Sequence, residues 1–335
     1  MLGRGSRNIV CRRLLSSRFL TNAVSPREQM HYDVVTVGGG PAGLSAAIRL
    51  KQLAKEQGTD LSVCVIDKGS EIGAHVLSGN VFESRALGEL FPNWKDMGAP
   101  LGTKVREDRF LVLTGDKGSI SIPSFLQPPQ LHNEGNYIIS LSQLCRWLAK
   151  QAEDLGVEIY PGFAASEVIY DSDSGAVRGV ATRDSGISKV GVQKDSYTPG
   201  VELLGRQTLF AEGCRGSCSE DLIAKFKLRE GKDEQTYGLG IKEVWKVPKE
   251  NFQEGLVQHT LGWPLQSNPF SKTFGGTFLY HQAPDLVLVG MVVGLDYTNP
   301  YLRCVFTVAR VSHHHHVMFI LHFSYQHHAS SNCHV

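Results

Sequence analysis

Six residues, Gly38-Gly39-Gly40-Pro41-Ala42-Gly43, lie between a short β-branched run, Asp33–Val37, and an alanine-rich segment that reads as a helix ending at Gly58. Gly38, Gly40 and Gly43 satisfy G-x-G-x-x-G, a spacing that carries information only between a strand and a helix. The first glycine makes the tight turn, the second lets backbone approach a pyrophosphate, and the third lets helix and strand pack closely. Pro41 falls where a proline costs the helix no hydrogen bond, and Gly58 is a natural stop. The run Leu61–Asp67 then reads as a second strand, completing a βαβ unit with a right-handed crossover. A pyrophosphate would sit on the helix N-terminus, where free N–H groups and the positive dipole end point at it. Asp67, ending the second strand, would accept hydrogen bonds from ribose hydroxyls. The motif alone leaves FAD and NAD both open.

Further along, Ser140–Gly156 reads as an amphipathic helix with Leu144, Trp147, Leu148 and Leu155 on one face. Val157–Gly162 reads as a short strand, and Ser166–Asp184 as a hairpin turning at Asp171–Gly175. Gly205–Gly213 reads as a buried strand returning to the first sheet, and Tyr237–Tyr301 as a β-rich region. The fold class expected is α/β with mixed α+β character. No second G-x-G-x-x-G follows, because Tyr237–Lys242 lacks the third glycine. In a redox reading, electrons then enter from a substrate or another protein.

Other chemistries find little support. A net charge of +1 gives no reason to expect a nucleic-acid partner. No stretch approaches the roughly 20 apolar residues of a spanning helix, so membrane contact would be one-sided. Seven scattered cysteines contain no C-x-x-C, and Cys214 and Cys218 are the only close pair. That spacing fits neither a structural zinc site nor a ferredoxin-type cluster, and free thiols suit a reducing compartment. Residues 1–29 hold six arginines and no acid before Glu28, the composition of a mitochondrial transit peptide. Residues 303–335 carry eight of the thirteen histidines and read as a tail not selected to fold with the rest.

Ordered blocks from about residue 31 to 302 resemble one family. "GGGPAGLSAAIRLKQLA", "IGAHVLSG", "LGELFPNWKDMGAPL", "TLFAEGCRG", "QTYGLGIKEVW", "GGTFLYH" and "VGLDYTNPYL" together are similar to electron transfer flavoprotein–ubiquinone oxidoreductases. The resemblance implies an FAD enzyme on the matrix side of the inner mitochondrial membrane, passing electrons from reduced electron transfer flavoprotein to ubiquinone. It implies a Rossmann-like FAD-binding domain over 30–225 interleaved with a β-rich ubiquinone-binding domain over 226–302. The FAD residues it implies are Gly38, Gly39, Gly40, Pro41, Ala42, Gly43, Asp67 and Lys68. Gly73, His75, Ser78 and Gly79 would approach the flavin, and Glu212 and Gly213 would return near the nucleotide. Gly275 and Gly276 would take ubiquinone, their missing side chains leaving room for a flat ring. Val81, Phe82, Leu87, Leu90 and Phe91 would form the membrane-contacting face of a short interfacial helix, although periodicity alone fits a buried helix equally well. The family also holds a [4Fe-4S] cluster, whose four cysteines this chain lacks. The expectation is therefore a truncated or aberrantly spliced form. The alternatives are an inactive fragment that at most binds FAD, and a flavin monooxygenase or reductase on the same scaffold.

Overall fold

A computed structural model describes residues 27–298, apart from residue 116 and residues 267–272. Most of the leader and all of the His-rich tail therefore lie outside the described residues. Strand β1 (Glu28–Val37) starts earlier than the apolar run suggests. Its first half is polar and largely exposed, which hides it from an apolar pattern, yet Glu28 and Gln29 pair with Val201 and Glu202. Arg27 ties this end down through ion pairs to Glu167 (2.9 Å) and Asp184 (3.2 Å). Residues 27–29, assigned to the leader by composition, are thus part of the fold.

After the glycine turn come α1 (Pro41–Glu56) and β2 (Val63–Asp67), as the sequence indicates. The chain then leaves the first sheet through β3 (Asn80–Phe82), α2 (Arg85–Leu90), β4 (Thr103–Lys104), β5 (Glu107–Leu113) and β6 (Ser119–Ser121). It returns through β7 (Tyr137–Ile139), α3 (Leu141–Asp154) and β8 (Glu158–Pro161). Ser140 caps α3 by accepting from the Gln143 N–H at 3.4 Å. The hairpin β9 (Ala165–Tyr170) and β10 (Val177–Thr182) turns where Asp171 accepts from the Ser174 N–H (2.9 Å) and hydroxyl (2.8 Å). Next come the ribbon β11 (Ser185–Ile187) and β12 (Gln193–Thr198), then β13 (Val201–Phe210) and α4 (Ser217–Lys225). The β-rich region comprises β14 (Gly238–Lys246), β15 (Leu256–Gly262), β16 (Gly275–Gln282) and β17 (Leu286–Gly294).

Among the described residues, the first sheet has the order β8-β2-β1-β13-β10-β9, parallel through β13 and antiparallel in the hairpin. Both of its faces are covered, which is why β1 and β2 end in continuous apolar runs. Val34, Val63 and Val65 pack against Leu44, Ile48, Leu144 and Leu148, within one cluster. Val35, Val37, Cys64 and Ile66 pack on the other side with Val180 and Leu203. The second sheet has the order β14-β17-β16-β15-β5-β6 and is antiparallel except at β15–β5. Two of its strands therefore come from residues 107–121, inside the stretch assigned by sequence to the first domain. A small sheet, β3-β7-β4, joins the two: Val81 and Ile138 pack against Val257, Tyr280 and Leu288.

The interfacial helix is overturned. Val81 and Phe82 are in strand β3, not on a helix. Leu87 and Phe91 are 4% and 8% exposed, inside the core shared by α1 and α3, with Phe82 and Leu90 packed against that core. Apolar periodicity has the same form on a lipid-facing and a core-facing helix, and here the core takes it. Leu87→Ala is expected to lower the unfolding free energy by about 2–4 kcal/mol in urea titration. An interfacial leucine would leave it nearly unchanged.

In the second sheet, His281 is 4% exposed and accepts the Gln253 N–H at Nδ1 (3.0 Å). Burial, aided by the Arg109 charge, holds its pKa down to about 4 against the usual 6.5. Unfolded chains bind the extra proton between these values, so stability is full above pH 6.5 and falls as pH drops toward 4. The loss at the acid end is on the order of 3 kcal/mol. His281→Asn, which keeps an acceptor, is expected to flatten that slope in urea titrations at stepped pH.

Candidate cofactor site

The glycine turn is fixed by packing on two sides. Gly38 has φ +112°, and a Cβ there would lie 2.3 Å from the Ala211 carbonyl oxygen. A Cβ on Gly43 would lie 2.0 Å from the Gly38 carbonyl oxygen, so helix α1 can approach the strand only because residue 43 has none. Gly40 differs: a Cβ there meets nothing within 4 Å. Gly40 is also the N-cap of α1, and no side chain caps that end. The first N–H groups of the helix are thus left for a ligand in the open space before them.

Asp67 accepts from the Gly39 N–H (2.8 Å) at one oxygen and the Gly69 N–H (2.7 Å) at the other. The acid braces the turn, and each oxygen keeps a lone pair for a hydroxyl. A cavity of about 620 Å³ opens here, lined by Gly38, Gly40, Pro41, Ala42, Asp67, Lys68, Gly73, His75, Glu212 and Gly213 from the sequence-derived set. Gly39 and Gly43 stand behind its wall as packing residues. Glu212 has a second duty: its carboxylate accepts from the Ser219 N–H and hydroxyl, both at 2.7 Å, and so caps α4.

Sequence reasoning did not single out Phe163, Phe210, Arg215 or Ser217, which also line the cavity. Phe163 and Phe210 belong to no motif and arrive through the sheet order. Arg215, exposed and close behind Glu212, offers a cation for phosphate oxygens, and its place after the Ala211–Cys214 block was the available signal.

The loop from Gly73 to Gly79 is pinned to the start of α3. The Ser142 hydroxyl donates to the Gly73 (2.9 Å) and Val76 (3.2 Å) carbonyls, and the Ser78 and Ser140 hydroxyls share a 2.7 Å bond. Gly73 and Gly79 have φ of +85° and +83°. Ser78 and Gly79 do not line the cavity; they lead from it toward the second sheet. The next residue, Asn80, has a buried Oδ1 with no partner, an acceptor free for a ring N–H.

Gly275 and Gly276 are not a turn but the first two residues of β16. Added Cβ atoms would lie 2.2 Å from the Val292 carbonyl oxygen and 2.1 Å from that of Thr260. Strand packing therefore demands both glycines, whatever else they do. Among the described residues no cluster of three or more His, Cys, Asp or Glu side chains could hold a metal. Burial pushes the thiols of Cys64, Cys145 and Cys218 up to about 12, 11 and 11, so they stay protonated. Only Cys214 is exposed among the described cysteines. These residues do not fit a [4Fe-4S] cluster.

Two families match the chain: the NAD(P)-binding Rossmann-like domain over residues 36–93, and the ubiquinone-binding domain of ETF-QO over residues 237–328. The electron transfer flavoprotein–ubiquinone oxidoreductase of Pseudomonas aeruginosa is 54% identical over 289 residues, 86% of this chain and 52% of that protein. The mitochondrial proteins of Dictyostelium discoideum and mouse are 53% and 52% identical, over 86% and 84% of this chain and 46% and 45% of theirs. Over these residues the chain is a relative of electron transfer flavoprotein–ubiquinone oxidoreductases.

The chain spans about half the length of these relatives. The ubiquinone-domain match runs to residue 328, so the resemblance does not stop at Leu302 as the sequence reading has it. Among solved structures, a geranylgeranyl bacteriochlorophyll reductase-like protein from Thermoplasma acidophilum superposes with a TM-score of 0.53, at 19% identity, over 79% of this chain and 57% of its own. That likeness establishes the shared mixed α/β fold.

The turn's geometry separates two mutations. Gly43→Ala is expected to destabilise the whole chain, because the new methyl meets backbone. Gly40→Asp is expected to leave thermal unfolding within a few degrees of the parent but to abolish dinucleotide retention, since its carboxylate would face the pyrophosphate. Thermal unfolding beside bound-nucleotide assay reads both.

Proposed function

We propose that this chain binds FAD in the cavity before α1 and carries electrons from reduced electron transfer flavoprotein toward ubiquinone, on the matrix side of the inner mitochondrial membrane. The observation that carries the reading is one continuous molecule. A dinucleotide cradle with uncapped helix N–H groups is joined, through the loop Gly73–Gly79, to the sheet that matches the ubiquinone-binding domain. FAD, when bound, supplies the acceptance and release of electrons.

The chain's own residues do the rest. The α1 N–H groups and Arg215 hold the pyrophosphate, and Asp67 takes ribose hydroxyls while bracing Gly39. Gly38 and Gly40 let backbone approach the phosphates. The serine-pinned loop directs the flavin end toward the second sheet, where the start of β16 at Gly275–Gly276 offers a quinone a surface without side chains. The mitochondrial relatives favour the same compartment for this chain.

The membrane contact belongs elsewhere than β3 and α2. The strand registers put the start of β14, the end of β17, the start of β16, the end of β15 and the β5–β6 turn at one end of the second sheet. That end exposes Phe274 (73%), Ile120 (57%), Leu295 (54%) and Leu239 (51%), with Leu261 beside them. Scattered exposed apolar residues are ordinary, but a concentration at one end marks an interaction site. No helix among the described residues is long and apolar enough to cross a membrane, so contact through this end is one-sided.

A second reading, the inactive fragment that at most binds FAD, has its own support: the described cysteines do not fit a cluster. One experiment separates them. The purified chain, reconstituted with FAD, is mixed with reduced electron transfer flavoprotein and a soluble ubiquinone. Flavin retention with quinone reduction supports the enzyme, flavin retention alone supports the fragment, and a folded chain without flavin removes both. For the membrane end, Phe274→Asp with Leu295→Asp is expected to reduce flotation with liposomes several-fold while the far-ultraviolet spectrum stays unchanged. Equal flotation would count against this surface.

A further inference from the structure

Strand β14 delivers a cation to the end of the flavin loop. A Cβ on Gly79 would lie 2.8 Å from Lys242 Nζ and 2.7 Å from Leu288 Cδ2, so the ammonium rests against bare backbone. Lys242 is half-buried, and among the described residues its Nζ has neither a hydrogen-bond acceptor nor an acid partner. Burial lowers its pKa. A partly desolvated ammonium with no counter-charge is unfavourable by itself and marks a place where negative charge is expected.

The sheet register shows which way this lysine belongs. Lys242 stands opposite Gly290, Gly290 opposite Phe278, and Phe278 opposite His259. Directly opposed residues share a face, so these four project together. A Cβ on Gly290 would lie 2.1 Å from the Phe278 ring, which lies across that glycine. On the same face, Leu288 and Tyr280 pack with Val81 and Ile138, the strands that follow and support the loop. Lys242 therefore stands on the inner face of the sheet, between the loop leaving the dinucleotide cavity and the row Gly240–Val292–Gly276 one step away.

We propose that Lys242 is the electrostatic partner of the flavin's pyrimidine edge, opposing the negative charge that edge carries when the ring is reduced. The inference rests on the FAD reading above. Two electrons from the reduced donor flavoprotein and one proton from solvent leave the ring one unit negative at N1–C2=O; Lys242 keeps its own proton and supplies the compensating charge. Its contact is with Gly79 rather than with Gly275 or Gly276, which assigns it to the flavin and not to the quinone.

Sulfite is a suitable probe, because its addition at flavin N5 puts the same negative charge on the pyrimidine edge with no electron donor or quinone present. The FAD-loaded chain is titrated with sulfite and followed by bleaching of the flavin absorbance, with FAD content and the far-ultraviolet spectrum as controls. Lys242→Gln is expected to weaken sulfite binding about tenfold or more, the scale of one close charge pair in a partly buried site, and Lys242→Arg to restore most of it. Should Lys242→Gln shed FAD, Lys242→Met, which removes the charge but fills the slot, carries the same comparison. Unchanged sulfite affinity in the charge-removing variant overturns the inference, even if quinone reduction changes. A folded parent chain that takes up no FAD overturns the flavin reading itself, and this one with it.

Discussion

Helix α1 meets strand β1 at a contact with no room for a single methyl group: a Cβ on Gly43 would stand 2.0 Å from the Gly38 carbonyl oxygen. That closeness sets the direction in which α1 leaves the sheet, and so where its uncapped N-terminus points. It also lets Leu44, Ala47 and Ile48 reach complete burial against the first sheet. Asp67 locks the other side by bonding Gly39 and Gly69. The polar bracket and the steric one act on neighbouring residues, so the turn keeps its shape without a ligand. A ligand then finds donors already placed, and less of its binding free energy goes into ordering the loop.

The excursion between β2 and β8 explains how a nucleotide cradle and a second sheet become one device. Residues 80–139 leave the first sheet, contribute β5 and β6 to the second, and return through β7 to start α3. Ser140 and Ser142 at that start hold the loop Gly73–Gly79. The loop is thus bonded to the segment that connects the sheets, and a shift of one sheet against the other would have to strain those bonds. Ala283, whose N–H donates to the Thr103 hydroxyl at 3.0 Å, adds a direct tie between β4 and the far end of the second sheet.

Much of the first sheet was legible in the sequence, because its signals are local. Glycine spacing, Pro41, Gly58 and the apolar runs of β1 and β2 each act within a few residues of themselves. The first half of β1 was not legible: its polar residues hold their place by pairing with residues 173 positions away, Glu28 with Val201 and Gln29 with Glu202. The residues of α2 were misread for a related reason. Leu87 and Phe91 have the spacing of any apolar stripe, and only the presence of α1 and α3 beside them decides what the stripe faces. Of the cavity lining, the motif indicates Gly38, Gly40, Pro41 and Ala42, whereas Phe163 and Phe210 reach it by strand order, and Lys242 reaches Gly79 by sheet register.

The glycines of the second sheet show why residue type alone does not identify a ligand surface. Gly276 and Gly290 each have a packing reason, the Thr260 carbonyl in one case and the Phe278 ring in the other. Gly240 has none: a Cβ there would make ordinary contact with Val292, at 3.8 Å. Because Gly240, Val292 and Gly276 stand opposite one another, Gly276, forced by packing, and Gly240, left free, lie in a single row, with Gly290 in the next. The sheet therefore presents a strip of backbone with the Val292 side chain between two glycines, bounded by Lys242 and Phe278 on one side and by the exposed apolar end on the other. A flat ring entering from that end meets glycine backbone and Val292 first and the Lys242 ammonium last, at the loop leading to the dinucleotide cavity. The order apolar, flat, charged is one that admits an uncharged ring and keeps the charge beside the place where electrons would be held.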